Sequence, residues 1–142
     1  MARRLPNNEG MRTAIGVLAL AMTAAASNGD KFAGTWEAKS KGTVFLVLKV
    51  KAAEKISGTL NSGKVKINDD GELEEAGPVE DHEAPIFFAV VDGDRLKFDF
   101  QDEDGGVVSF ELILTGEGAG ELRILENGQP KPKGFAVKRV QS

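Results

Sequence analysis

Residues 86–101 read IFFAVVDGDRLKFDFQ and contain the pattern that decides the fold. In the second half of this stretch, Leu96, Phe98 and Phe100 alternate with charged side chains, which gives a strand one apolar and one polar face. An Asp-Gly pair separates the two halves, and this pair is typical of the tight turn of a β-hairpin. The stretch therefore predicts two antiparallel strands that bury one face and leave the other in water.

The same rhythm continues in both directions along the chain, where short alternating segments are separated by Gly, Asn or Asp. The predicted strands are 34–39, 43–51, 55–61, 64–68, 86–91, 95–101, 107–115, 121–126 and 134–140. One long, acidic connection remains, at 68–85.

Because the other turns are short, neighbouring strands should pair antiparallel, and closing the sheet would remove its exposed edges. The sequence therefore predicts an all-β domain, an antiparallel up-and-down β-barrel of about eight to nine strands. A β-sandwich is the alternative, although it needs longer crossover connections than most of these turns provide.

Residues 1–26 have the composition of a cleavable signal peptide. Three arginines precede an uncharged run at 14–26, which ends in the small side chains that a signal peptidase accepts. The run is shorter than the roughly 20 apolar residues that a membrane-spanning helix needs. We therefore expect a periplasmic or secreted protein with a single mature domain at 27–142 and no membrane span in that domain. Met11 is a second possible start, in which case 1–10 is an upstream extension.

The composition excludes several classes of site and partner. The chain has no cysteine, so disulfides, zinc–thiolate sites and thiol nucleophiles are excluded. Of its 18 basic and 22 acidic residues, residues 1–26 hold three and one, which leaves the mature domain with a formal charge of −6. An acidic surface repels phosphate groups and anionic lipids, so nucleic-acid binding is not expected.

Two short motifs mark the ends of the predicted barrel. The first strand opens with Gly34-Thr35-Trp36, and the last strand, from Phe135 to Arg139, ends on a basic residue. This combination resembles the small bacterial lipocalin-like, or calycin-like, β-barrel proteins. The resemblance implies that Trp36 plugs one end of the barrel, that Arg139 lies across it, and that the other end is an open mouth. Alternation in the last strand places Arg139 on the inward face, so a cation–π contact with Trp36 is expected.

The inward faces of the strands supply the candidate ligand-binding residues. The side chains that we expect to line an apolar cavity are Leu46, Leu48, Phe98, Phe110, Leu112 and Ile124. An eight-stranded barrel is just wide enough either to be filled by such side chains or to hold one small ligand, so core packing is the alternative interpretation. In the second strand, Phe45 and Val47 are the alternative inward pair. A pocket of this composition would take a small hydrophobic ligand, lipid-like or aromatic.

The sequence shows no catalytic, metal-binding or cofactor-binding pattern. His82 is the only histidine and lies in an acidic loop, where a solvated side chain is the plainer interpretation. The Asp- and Gly-rich stretches 68–71 and 102–105 lack the ligand spacing of a calcium loop and are typical of hairpin turns. The glycine-rich stretch 116–120 lies between two predicted strands, so it does not have the context of a phosphate-binding loop.

These observations predict an exported, non-enzymatic protein that binds a small apolar ligand inside the barrel. The alternative is a protein-interaction module, such as an inhibitor of a secreted enzyme, whose surface would be the loop 72–85 or the N-terminal arm 27–32. An enzyme is the third alternative, and it would need His82 and a carboxylate to face a common cavity. If side chains filled the barrel completely, no ligand could bind inside it, and only the outer surface would be available for an interaction.

Overall fold

The computed structural model describes residues 29–141, so the predicted signal peptide at 1–26 lies outside the described residues. The described part of the chain forms eleven strands, most of them joined by tight turns. The strands are β1 (Gly34–Ser40), β2 (Thr43–Ala52), β3 (Ile56–Ser62), β4 (Val65–Ile67), β5 (Leu73–Ala76), β6 (Glu83–Asp92), β7 (Arg95–Gln101), β8 (Val107–Gly116), β9 (Ala119–Glu126), β10 (Gln129–Pro130) and β11 (Phe135–Gln141).

Eight of these strands close into an antiparallel barrel. Their order around the barrel is β1, β2, β3, β6, β7, β8, β9 and β11, and β11 pairs with β1 to complete the circle. The prediction of an all-β, up-and-down barrel is therefore confirmed, and the β-sandwich is excluded. Closure is favoured because it removes both edges of a sheet that short turns build strand by strand.

The structure differs from the predicted strand order between β3 and β6. The sequence predicts 64–68 as a barrel strand, but β4 leaves the barrel and pairs with β5 in a separate hairpin. β5 lies within 68–85, which the sequence predicts as a connection. Val65 and Ile67 alternate with polar residues just as barrel residues do, so the local pattern does not reveal which partner the strand takes. The short β10 pairs with the end of β9 and is not one of the eight barrel strands.

One end of the barrel is closed by the segment that precedes β1. The guanidinium carbon of Arg139 lies 4.7 Å from the centroid of the Trp36 ring, and Trp36 Nε1 donates a hydrogen bond of 2.9 Å to the carbonyl oxygen of Phe32. Arg139 also donates to the carbonyl oxygen of Lys31. Lys31 Nζ in turn lies 3.1 Å from Asp94 Oδ1 in the β6–β7 turn. These contacts hold the segment across the barrel end, where Trp36 and Phe32 are fully buried.

The half of the barrel next to this closed end is filled by side chains. Its buried inward-facing residues are Trp36, Leu48, Leu96, Phe98, Leu112, Leu122 and Val137. Strand pairing places Leu112 directly opposite both Leu96 and Leu122, so that one layer of leucines spans three neighbouring strands. Any space for a ligand inside the barrel is therefore at the opposite end.

Candidate functional site

The opposite end of the barrel contains an apolar cavity with a volume of about 280 Å³. Its wall is formed by inward-facing side chains of the barrel strands, which are Leu46, Leu60, Phe100, Val108, Phe110, Ile124 and Phe135. Val65 and Ile67 of β4 cover the cavity, and Ser62, Gly63 and Asp102 complete its lining at the rim. The cavity is thus built from strands on all sides of the barrel and from the hairpin that leaves it.

The six residues predicted to line a cavity divide into two groups. Three of them line the cavity, namely Leu46, Phe110 and Ile124. The other three are at most 1% exposed and pack in the filled half of the barrel, namely Leu48, Phe98 and Leu112. Both interpretations of these inward side chains are therefore correct for part of the barrel. The side chains form a cavity wall in one half of the interior and a packed core in the other half.

The second strand contributes inward side chains from both of the alternative pairs. Leu46 and Leu48 are buried, and Val47 between them is half-buried. Phe45 is buried as well, because the pairing of β2 with β1 shifts by one residue beside it. The ring of Phe45 packs against that of Phe135, with 5.4 Å between their centroids.

Nine further residues of the cavity were not among the six predicted to line it, and six of these nine have apolar side chains, namely Leu60, Val65, Ile67, Phe100, Val108 and Phe135. Leu60 and Val108 lie on the inward faces of predicted strands, so the alternation of their strands contains the signal that identifies them. Val65 and Ile67 line the cavity because β4 crosses over it, and the local sequence pattern does not reveal this path of β4.

The hairpin over the cavity is attached at both ends, and we call it the flap (β4, β5 and the turn between them, residues 65–76). At its base, the backbone N–H of Gly63 donates a hydrogen bond of 2.8 Å to the carbonyl oxygen of Phe45. At its tip, the backbone N–H of Lys133 donates one of 2.9 Å to the carbonyl oxygen of Asp70. Its apolar side chains pack against the barrel core, and these are Val65, Ile67, Leu73 and Ala76.

A polar depression of about 310 Å³ adjoins the apolar cavity, and we call it the vestibule. The two spaces share five lining residues, among them Phe100 and Asp102. The other ionisable residues of the vestibule are Lys64, Glu80, His82, Glu103 and Asp104. The vestibule therefore presents four carboxylates and one lysine at the entrance to an apolar space.

Asp102 lies at the boundary between the vestibule and the cavity and is half-buried. Its Oδ1 accepts a hydrogen bond of 2.8 Å from the backbone N–H of Gly106, which orients the carboxylate within the β7–β8 turn. Its Oδ2 forms no hydrogen bond with any residue that the structure describes. Within residues 29–141, none of the four vestibule carboxylates takes part in an ion pair.

Glu83 follows His82 in the chain and, unlike the four vestibule carboxylates, forms an ion pair. Its Oε2 lies 3.2 Å from Lys49 Nζ on the outside of the barrel. The hydrogen bond from Lys49, a second one from Thr59 and the positive charge of Lys49 hold the pKa of Glu83 below its ordinary value. Lys49 is therefore already paired with Glu83 on the outer surface.

His82 lies in the vestibule, where the fold brings its acidic loop together with the carboxylates of the β7–β8 turn, which the sequence does not predict. The side chain is exposed, and it forms no hydrogen bond or ion pair with a carboxylate among the described residues. Within the same residues, no group of three or more His, Asp and Glu side chains is arranged to hold a metal ion. His82 therefore lies near carboxylates in the vestibule, but no hydrogen bond to a described carboxylate orients its imidazole ring as in a general base.

Glu111 is fully buried although it lies on the outer face of the barrel. Arg95 Nη1 donates a hydrogen bond of 3.1 Å to its Oε1. Strand pairing also places Glu111 between Lys97 and Arg123. Arg95 forms the ion pair with this carboxylate, whereas Arg123 Nε pairs with Glu121, and Glu111 Oε2 has no hydrogen-bond partner among the described residues.

The outer face of β6 carries an exposed aromatic side chain. Phe88 is 78% exposed, and its backbone has a φ of 54°, in the left-handed region. It lies at a bulge in the pairing of β6 with β7, where the register shifts between Phe87 and Val90. The rings of Phe87 and Phe88 meet edge to face at 5.3 Å, and Val90 beside them is 57% exposed. Regular alternation over 86–91 does not predict this bulge.

Among residues 29–141, no helix has the length and apolar character needed to cross a membrane. Comparisons of the chain with family models, with curated proteins and with solved structures found no match.

Proposed function

We propose that this chain is an exported, non-enzymatic binding protein that holds a small apolar ligand in the mouth of its barrel. The supporting observation is the division of the barrel interior. One half is filled and closed by Trp36 and Arg139, whereas the other half retains an apolar cavity of about 280 Å³. A barrel that served only as a scaffold would be more stable with that space filled. The composition of residues 1–26 supports export.

The size of the cavity favours a small ligand. An apolar cavity of about 150 Å³ accommodates benzene, and most ligand pockets have volumes of about 300 Å³ or more. A volume of about 280 Å³ therefore suits a short alkyl chain or a molecule with one or two aromatic rings. Burial of the ligand's apolar surface, at about 25 cal/mol per Å², would supply the affinity.

We also propose kinship with the small bacterial lipocalin-like barrels. The proposal is supported by Gly34-Thr35-Trp36 at the start of β1 and by the position of Arg139 over the Trp36 ring. It is further supported by an interior that is closed at one end and hollow at the other.

The test of the proposed function is to fill the cavity and measure ligand binding. Val108 faces the cavity, whereas Val107, its neighbour in β8, is 58% exposed on the outer face. We expect n-octanol to bind the wild-type protein at one saturable site in isothermal titration calorimetry. Val108→Phe should weaken this binding by about tenfold or more, because the added ring occupies the space, and Val107→Phe should leave it unchanged.

Thermal unfolding of both variants checks that each is folded at the temperature of the titration. Absence of saturable octanol binding to the wild-type protein would contradict the proposed function. Equal binding by the folded Val108→Phe variant would also contradict it, since the ligand would then lie elsewhere.

Protein interaction is the second candidate function, and the exposure of Phe88 is the observation that favours it. The N-terminal arm is a less suitable surface, because Phe32 is fully buried at the closed end. A photo-reactive residue in place of Phe88, with one in place of Val140 as the control, tests this function. Val140 is 51% exposed. A cross-linked partner obtained only from position 88 would support the function, and the same products from both positions, or none, would contradict it.

A further inference from the structure

We infer that the ligand is an amphiphile with a positively charged head group, which the vestibule receives while the apolar part enters the cavity. The inference rests on the proposed function and specifies the chemistry of its ligand. It is carried by the arrangement of the two spaces and by the charges at their boundary.

The two spaces adjoin each other. The vestibule and the cavity share Ser62, Gly63, Val65, Phe100 and Asp102. A molecule whose apolar part contacts Phe100 in the cavity therefore has its other end beside Asp102. The structure thus provides a continuous site, apolar at the inner end and polar at the outer end.

The charged side chains of the vestibule are mostly negative. The vestibule contains four carboxylates and one lysine, and Lys49 on the adjacent wall is paired with Glu83 on the outside. The carboxylates have no ion-pair partner among residues 29–141. A cationic head group would meet attractive charges on several sides, whereas the carboxylate of a fatty acid would be repelled.

Asp102 is the vestibule carboxylate that also lines the apolar cavity. It is half-buried, and its Oδ2 has no hydrogen-bond partner among the described residues. Because its surroundings include Phe100 and Val65, the interaction of a cation with this oxygen is screened less than on an open surface. An ammonium group offers three N–H donors to Asp102 and its neighbours, so hydrogen bonding and charge favour the same head group.

The test compares three probes that share an alkyl chain and differ in the head group: n-octylamine, n-octanol and octanoate. We expect octylamine to bind about tenfold more tightly than octanol, and octanoate to bind most weakly. The preference for the amine should decrease with added salt, because ions screen the charges of the vestibule.

A variant that neutralises the vestibule identifies the groups responsible. Glu80→Gln, Asp102→Asn and Glu103→Gln are combined in one protein. Asn at position 102 retains an oxygen that can accept the hydrogen bond from Gly106. The affinity for octylamine should fall to that for octanol, whereas the affinity for octanol should stay as in the wild-type protein.

The control variant removes the same number of negative charges at the closed end. It combines Glu54→Gln, Asp92→Asn and Glu117→Gln, three exposed positions at the turns of that end. Its preference for octylamine over octanol should match that of the wild-type protein. Loss of the preference in this control as well would show that net charge alone is responsible and would overturn the inference.

The outcomes separate the inference from the proposed function. Saturable octanol binding together with equal or tighter binding of octanoate than of octylamine would overturn the cationic head group and leave the apolar site standing. Failure of all three probes to bind would overturn both.

Discussion

Phe88 combines a strained backbone with an exposed aromatic ring. A φ of 54° costs a non-glycine residue roughly 1–2 kcal/mol, and a side chain that is 78% exposed regains little of this by burial. Residues held in such a conformation without a packing benefit are candidates for functional contacts. A substitution that relieves the strain at Phe88 should therefore raise the free energy of unfolding.

We expect Phe88→Asn to raise the free energy of unfolding by about 0.5–1 kcal/mol, because Asn tolerates the left-handed region better than Phe. Urea denaturation followed by circular dichroism measures the change. Val90→Asn is the matched control, since Val90 is also exposed on β6 but is not among the residues with positive φ. That control should lower stability, because Asn is unfavourable in strands. Equal destabilisation by both substitutions would show that position 88 is not strained.

At the scale of the elements, the flap covers part of the cavity at the mouth of the barrel. Its strands are short, with three residues in β4 and four in β5. Two such strands are not stable alone, so the flap depends on its contacts with the barrel. The contact at its tip requires a glycine, because a Cβ built on Gly71 would lie 2.1 Å from the carbonyl oxygen of Lys133.

We expect Gly71→Ala to release the tip of the flap and speed ligand dissociation several-fold while the barrel remains folded. Gly71 has a φ of 98°, and Gly93 in the β6–β7 turn has a φ of 62° with no atom within 4 Å of the position of a Cβ. Gly93→Ala is therefore a control that adds backbone strain without a clash. Stopped-flow dissociation of the bound probe and hydrogen exchange at Val65 and Ile67 measure the difference. Equal effects of the two substitutions would show that the tip contact does not hold the flap.

At the scale of the whole molecule, the filled core and the unfilled space lie at opposite ends of the barrel. The closed end contains Trp36, Arg139 and the segment that crosses it, whereas the other end contains the cavity and the vestibule. The packed core of the closed half stabilises the barrel, which offsets the stability lost to the unfilled space in the open half. The two ends should therefore respond separately to substitution.

We expect Arg139→Met to lower the free energy of unfolding by about 1–3 kcal/mol, because it removes the cation–π contact with Trp36 and leaves the carbonyl oxygen of Lys31 without its donor. Lys138→Met, at the exposed neighbouring position, should change it by less than about 0.5 kcal/mol. Thermal or urea unfolding measures both. Octanol affinity should be unchanged in each variant, and a loss of affinity in Arg139→Met would show that the two ends are coupled.

The class of the fold and the faces of most barrel strands can be predicted from the amino-acid sequence alone. The alternation of Leu96, Phe98 and Phe100 and the Asp-Gly turn before them are local features, and short turns leave antiparallel pairing as the simplest arrangement. The inward position of Arg139 follows from the same alternation, whereas that of Trp36 was expected from the resemblance carried by Gly34-Thr35-Trp36. Local periodicity carries this information because a strand's two faces are set by its own residues.

The position of the cavity, in contrast, depends on the three-dimensional fold. Leu46 and Leu48 have the same pattern in the same strand, yet one lines the cavity and the other fills the core, because the position along the barrel axis determines what each side chain meets. The path of β4, the vestibule formed by three separate loops, and the bulge at Phe88 likewise depend on contacts between residues far apart in sequence. Such contacts are set by closure of the barrel as a whole, and no local pattern encodes them.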